Sequence, residues 1–225
     1  MSQLFIVATP IGNLGDITFR AIETLKAVDF IAAEDTRQTK KLLDKYDIET
    51  NMVSFHAQTS DGKTQQIVER ITKGESFALV SDAGTPGISD PGFRLTRAAV
   101  QQGIQVIPIP GASAVTTLIS AAGFPTNNFT FHGFLPHKKG RQTIVKSFTD
   151  STQSQIVYES VHRFPKLLKE LQEHVGGERM ICVGRELTKM FEEIWRGSVD
   201  QAMDHFNKDN TKGEFVVIVA PKSFQ

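Results

Sequence analysis

The stretch "LVSDAGTPGISDPG" at 79–92 combines three glycines, two prolines and two aspartates directly after an apolar run. Glycine reaches positive φ and lets a backbone approach a ligand closely, while proline freezes the path between. Ordinary connections in α/β folds run to roughly two to six residues, so Ser81 to Gly87 exceeds what joining a strand to a helix requires. The loop is therefore predicted to grasp a ligand with main-chain amides and carbonyls. "PIPGASAV" (108–115) sets the small residues Gly111, Ala112, Ser113 and Ala114 where a flat ring could enter; a tight strand-to-helix turn accounts for them equally. "VATPIGNLGDIT" (7–18) carries turn formers at Gly12, Asn13 and Gly15 and a candidate helix N-cap in Asp16, so a ligand wall and a plain turn both remain open. It is neither a G-x-G-x-x-G fingerprint nor a P-loop, which disfavours a dinucleotide or a nucleoside triphosphate. "AAEDTRQTKK" (32–41) puts Glu34 at a strand end with Asp35 or Thr36 as the following cap, and capping explains only one of the two acids.

These loops need a scaffold, and the first half supplies a regular rhythm. Apolar runs at Leu4 to Ala8, Phe30 to Ala33, Phe77 to Val80 and Gln105 to Ile109 read as strands, separated by helical patterns near 17–27, 37–46, 61–73 and 91–102. That is the βαβ pattern of a buried parallel sheet, in which ligands collect at the carboxyl ends of strands. Asp90 is expected to cap the helix that starts at Pro91. Beyond residue 128 the runs at 129–133, 154–159, 179–184, 191–196 and 214–220 alternate with helices near 141–148, 163–174 and 198–206. The less even spacing predicts a mixed sheet. The fold class is thus α/β with two domains, 1–115 and 116–225, divided within about 113–128.

Totals narrow the function. The 225 residues hold 25 Lys plus Arg against 25 Asp plus Glu, so a nucleic-acid role would have to rest on a local patch. The single cysteine, Cys182, cannot form an internal disulfide, no apolar stretch approaches membrane-span length, and the first residues lack a basic export start. A cytoplasmic protein with no membrane partner is expected.

Taken together, "VATPIGNLGDIT", "AEDTR", "LVSDAGTPGISDPG", "PIPGASA", "GFLPHKKGR", "YESVHR", "GRELTK" and "KGEF" resemble the tetrapyrrole-methylase superfamily of S-adenosylmethionine-dependent methyltransferases. Within it they are similar to the bacterial enzymes that methylate the ribose 2′-hydroxyl of a decoding-site cytidine in 16S rRNA. The resemblance implies two α/β domains of the tetrapyrrole-methylase type with the ligand cleft between them, a homodimer, S-adenosyl-L-methionine as methyl donor, and 16S rRNA or the small ribosomal subunit as substrate. It implies donor contacts at Pro10; at Ser81, Asp82, Ala83, Gly84, Thr85, Ile88 and Ser89; at Gly111, Ser113 and Ala114; and at Tyr158, Leu187 and Pro221. Where the superfamily has Gly-Asp-Pro this chain reads Gly84-Thr85-Pro86, with Asp82 as the nearby acid. Two departures stand out: "SFHAQTS" keeps only His56 of a loop usually richer in histidine, and many relatives carry a helical extension beyond "KGEFVVIVAPK".

A sulfonium methyl is already electrophilic, so the chemistry asks for alignment and exclusion of water; no metal site is expected. A ribose hydroxyl does need a proton acceptor, for which Glu34, Glu159, Glu186 and Lys189 are the candidates. In "FHGFLPHKKGRQ" (131–142), Lys138, Lys139 and Arg141 are expected to contact RNA phosphates, joined by Arg163 and Arg185, while the phenylalanines are assigned to the core. Glu159 and Arg163 could also simply pair with each other. The alternatives are a precorrin- or uroporphyrinogen-type C-methyltransferase, against which "RELTK" and "PHKKGR" argue, and a donor-binding module without catalysis.

Overall fold

The computed structural model describes residues 2–206 and 212–224. Two compact units emerge, one ending at Ser113 and one beginning at Ala114.

In the first unit five short strands, β1 (Gln3–Val7), β2 (Phe30–Ala33), β3 (Asn51–Ser54), β4 (Phe77–Val80) and β5 (Gln105–Ile109), form one sheet of order β3-β2-β4-β1-β5. Every pairing is parallel. The central β4 reads FALV and is buried throughout, as a strand covered on both faces must be. Helices α1 (Phe19–Ala27), α2 (Thr36–Lys45), α3 (Asp61–Thr72) and α4 (Gly92–Gln101) supply the covers. Leu95 and Ala99 of α4 share a core with Ile67, Val68 and Ile71 of α3, whereas Ala21 and Leu25 of α1 lie in a separate core with Leu43 of α2. The neighbouring strands β1 and β4 therefore send their chains to opposite faces of the sheet. That is the topological switch point where open α/β sheets part their loops and admit ligands.

Three local expectations are corrected. Sequence periodicity missed β3, whose four residues NMVS alternate too weakly to register, so "PIPGASAV" follows the fifth strand and not the fourth. Asp16 does not cap α1: it lies in a short 3₁₀ turn, and Thr18 accepts the Ala21 amide instead. Helix α4 starts at Gly92, with Pro91 at its cap position, and Asp90 reaches forward to accept from the Gly92 amide at 2.7 Å. Asp35, by contrast, is the N-cap of α2.

The second unit opens with α5 (Ala114–Ala122) and then builds a mixed sheet of order β6-β7-β10-β8-β9. Its strands are β6 (Phe129–Phe134), β7 (Ser154–Ser160), β8 (Met180–Arg185), β9 (Glu193–Ser198) and β10 (Glu214–Val219). Only β6 and β7 run parallel; β10 is antiparallel to both β7 and β8, and β8–β9 is a hairpin. Helices α6 (Arg141–Ser147), α7 (Phe164–Val175) and α8 (Val199–His205) share one core with alternate residues of β10, namely Phe215, Val217 and Val219. Leu118 of α5 lies against Gly184, where an added Cβ would come within 2.9 Å of its Cδ1. Among the described residues no helix is long and apolar enough to cross a membrane.

Candidate functional site

Three of the four glycine- and acid-rich loops meet at the carboxyl ends of β1, β4 and β5. Thr9 and Gly84 exchange backbone hydrogen bonds of 2.9 and 3.0 Å, a bridge across the switch point. The Thr9 hydroxyl also donates to the Ser81 carbonyl at 3.2 Å. The third loop joins through Thr85, whose hydroxyl donates to the Ala112 carbonyl at 3.2 Å. Fit at this junction depends on missing side chains. A Cβ on Gly84, which has φ +82°, would lie 3.3 Å from Ile11 Cγ2, and one on Gly111 would lie 3.0 Å from the Ala8 Cβ.

Within 79–92 the backbone takes positive φ at Gly84, Gly87 and Ser89. Asp90 stabilises this path by accepting from the Gly87 and Gly92 amides, each at 2.7 Å. Ser81 turns inward and is buried. Among the described residues the amides of Ala83, Thr85 and Ser89 have no intramolecular acceptor, so they remain as donors at the loop surface. Pro10, Ser81 to Thr85, Ile88, Ser89, Gly111 and Ser113 thus come from one convergent set of loops.

The fourth loop is tied to the same place by two acids. Glu34 Oε2 accepts from the Asp82 amide at 3.3 Å, and Asp82 Oδ1 accepts from the Asp35 amide at 2.9 Å. Burial pushes the Glu34 carboxyl above its ordinary value; the Asp82 amide opposes this, the charges of Asp82 and Asp90 reinforce it, and His56 opposes it. Glu34 is therefore a carboxylate with raised proton affinity beside an amide-rich loop. Asp35 differs entirely: half-buried and hydrogen-bonded to Arg37 by side chain and backbone, its carboxyl is lowered to about 2.

The second unit divides its expected residues. Tyr158 of β7 is half-buried, and burial raises its phenol to about 12, although the Val115 main-chain group at the start of α5 pulls the other way. Leu187 packs against Gly184, so Ala114, Tyr158 and Leu187 lie around the first turns of α5 and the strand ends it covers. Pro221 does not join them. Register pairs Tyr158 with Val216, and Pro221 is five residues further along, about 16 Å of strand away. It sits instead beside Ala220, whose amide donates to Met180.

Of the four candidate proton acceptors, three are otherwise engaged. Glu159 is 1 % exposed and locked between Arg141 and Arg163 at 2.8 and 2.7 Å. Glu186 and Lys189 bind each other at 2.9 Å, and Lys189 also binds Glu214 at 3.1 Å. Burial alone would raise the Glu186 carboxyl, but Lys189, the Glu214 amide and Arg185 together hold it below its ordinary value. Burial would likewise lower the Lys189 ammonium, and its two carboxylate partners outweigh that and hold it raised. A lysine kept protonated is no base at neutral pH.

The expected cationic surface is also thinner than the sequence implied. Arg141 is 2 % exposed and faces Glu159 and Glu170, not solvent. Arg163 is mostly spent on Glu159 and the Leu135 carbonyl, and Arg185 on Glu193 and the Lys212 carbonyl. Lys138 and Lys139 stay exposed, with no ion pair among the described residues. Beside them Phe134, assigned to the core by composition, is 54 % exposed, with the Tyr158 ring edge-on at 5.4 Å. The alternation of Phe129 and Phe131 breaks before Phe134, where the register with β7 shifts, and Phe134 lies past that irregularity at the strand's end.

Comparison with known proteins agrees with this architecture. The family model of Tetrapyrrole (Corrin/Porphyrin) Methylases matches residues 3–203. Ribosomal RNA small subunit methyltransferase I of Synechocystis sp. is 47 % identical over 98 % of this chain and 79 % of that protein. The protein of the same name from Thermotoga maritima is 42 % identical over 99 % of this chain and 100 % of its own length. Among solved structures, a diphthine synthase superposes with a TM-score of 0.78 at 14 % identity, covering 99 % of this chain and 91 % of that one. Uroporphyrin-III-C-methyltransferase from Thermus thermophilus gives 0.67, also at 14 % identity, covering 99 % and 95 %, so both show a shared fold. Switch-point loops, paired α/β units and whole-length relatives converge: the chain belongs to the tetrapyrrole methylase family, together with the ribosomal RNA small subunit methyltransferase I proteins.

Proposed function

We propose that this protein is an S-adenosylmethionine-dependent methyltransferase acting on the ribose 2′-hydroxyl of a decoding-site cytidine in 16S rRNA. The observation that carries the reading is identity of 42–47 % across nearly the whole chain to proteins named for small-subunit ribosomal RNA methylation. The donor set of the first unit fits the cofactor. Side-chain-poor turns with unpaired amides at Ala83, Thr85 and Ser89 suit an adenosyl group and its polar tail, and an acid-lined strand end lies next to them. When bound, S-adenosylmethionine supplies an electrophilic methyl group. The chain's own task is to orient the hydroxyl, exclude water and accept a proton, and Glu34 is the acceptor that the environment favours.

Two variants test the parts. Gly84→Val forces a β-branched residue into φ +82° beside Ile11. It should weaken donor binding by about tenfold or more, the equivalent of the 1–2 kcal/mol that left-handed backbone costs an L-residue; titration calorimetry with the donor checks this. On the RNA side, Lys138→Ala with Lys139→Ala should reduce the salt dependence of binding by about 0.7 per lysine, the single-strand counterion slope. Phe134→Ala should instead cost about 1–3 kcal/mol of base stacking at an unchanged salt slope. Filter binding across a salt series separates them.

The reading as a whole is tested by incubating the protein with labelled donor and small ribosomal subunits from a strain lacking the modification. Label on the ribose of one cytidine is expected. Label on a base, or none, overturns it.

A further inference from the structure

A chain of linked ion pairs, largely buried, lies beneath the exposed segment 136–140 of the second unit, and none of its residues belongs to the loops of the first unit. Leu135 before the segment is 1 % exposed and Arg141 after it is 2 %, while all five residues between are exposed. Arg163 Nη1 donates to the Leu135 carbonyl at 2.8 Å, and its Nε pairs with Glu159 Oε1 at 2.7 Å. Glu159 Oε2 pairs with Arg141 Nη1 at 2.8 Å, and Arg141 Nε with Glu170 Oε2 at 2.7 Å. The contacts thus run from one end of the segment to the other. They hold its two buried ends in fixed relation while Lys138 and Lys139 project between them.

Stability is a poor explanation for such a chain of pairs. The desolvation of buried ions largely cancels their attraction, and well-packed apolar residues of similar volume often serve as well or better. Arg141 Nη2 is moreover buried with no hydrogen-bond partner. What guanidinium–carboxylate pairs do provide is directional, multi-point geometry, and a pre-set loop loses less entropy when it binds. We propose that Arg163 is a positioning residue: by clasping the Leu135 carbonyl and Glu159 together, it presents Lys138 and Lys139 in a fixed array to RNA phosphates. The inference rests on the ribosomal RNA reading of the basic segment and goes beyond it, since Arg163 acts through the lysines and not by touching RNA.

The test is a double-variant cycle on the full chain, with small ribosomal subunits lacking the modification as the probe. Arg163→Lys keeps a cation for Glu159 but loses the second arm that reaches Leu135. It should weaken subunit binding by about five- to tenfold while donor affinity stays unchanged. Lys138→Ala with Lys139→Ala should weaken it at least as much, and adding Arg163→Lys to that pair should change affinity by less than about twofold, since groups acting as a unit are non-additive. Trypsin gives the second readout: cleavage after Lys138 or Lys139 should accelerate in Arg163→Lys while the rest of the chain keeps its resistance. Undiminished binding by Arg163→Lys, full additivity in the combined variant, or cleavage accelerated throughout the second unit each overturns the positioning role and leaves the RNA reading standing. Wild-type protein that ignores the subunits, or a lysine pair whose loss changes nothing, overturns both.

Discussion

Arg141→Met is expected to destabilise the second unit by about 3–5 kcal/mol, the usual cost of breaking a buried ion pair on one side only. The charge removed sits between two carboxylates: Glu159, whose side chain is wholly buried, and Glu170, which is nearly so. Both sit on elements, β7 and α7, that contribute to the core of Phe148, Phe164, Leu167 and Leu171, so losing the cation leaves them poorly solvated. Arg163 continues to hold Glu159, and Lys166 lies 3.8 Å from Glu170, which points to the lower part of that range. Urea unfolding followed by tryptophan fluorescence measures it cleanly, because the sole tryptophan, Trp195, is on β9 and packs against this same core. Replacing Arg141, Glu159 and Glu170 together by apolar residues should recover most of the loss, since no uncompensated charge then remains. A loss below about 1 kcal/mol for Arg141→Met, the range of exposed pairs, would show the cluster to be solvated.

Glu34→Gln should reduce kcat by about 10²–10⁴-fold, the usual contribution of a positioned general base, with a much smaller change in KM for the subunit. Fold and loop should survive, because the glutamine carbonyl can still accept from the Asp82 amide. Stability gives an independent check, with a sign that follows from the raised carboxyl. A folded-state pKa above the ordinary 4.5 means the protonated form is favoured by folding. That contribution is complete below about 4.5 and is lost as pH climbs through the raised folded value. At pH 8 the charged carboxylate is thus a burden that glutamine lacks, and the variant should melt higher than the wild type; at pH 4 the two should coincide. In the pH–rate profile, the acidic limb of kcat should lie above the ordinary carboxylate range and vanish in the variant. A kcat within about threefold of wild type would reduce Glu34 to a strap between β2 and the 81–92 loop, because a true proton acceptor contributes at least a hundredfold.

Much of this architecture is legible in the residues themselves. Apolar runs of four or five residues between helical periods state a parallel sheet, because a strand covered on both faces has no polar side to show. Where that signal fades, as in the half-exposed NMVS of β3, periodicity does not reveal the strand. The loop at 81–92 was equally plain. Its glycines permit main-chain angles that other residues resist, and Gly84 and Gly87 adopt them.

Residue type could not say which charges would face one another. Lys138, Lys139 and Arg141 look alike in sequence, yet the last is buried because Glu159 and Glu170, 18 and 29 residues away, arrive beneath it. Glu170 left a faint mark, lying among the Leu167, Leu168 and Leu171 face of α7, but a partner cannot be assigned from a pattern on one helix. Likewise the four candidate proton acceptors narrow to Glu34 only once ion pairs have claimed Glu159, Glu186 and Lys189. Backbone propensity and hydrophobic period are local and can be read along a chain. Charge environment depends on what folding brings within a few ångströms, and that distance exists only in three dimensions.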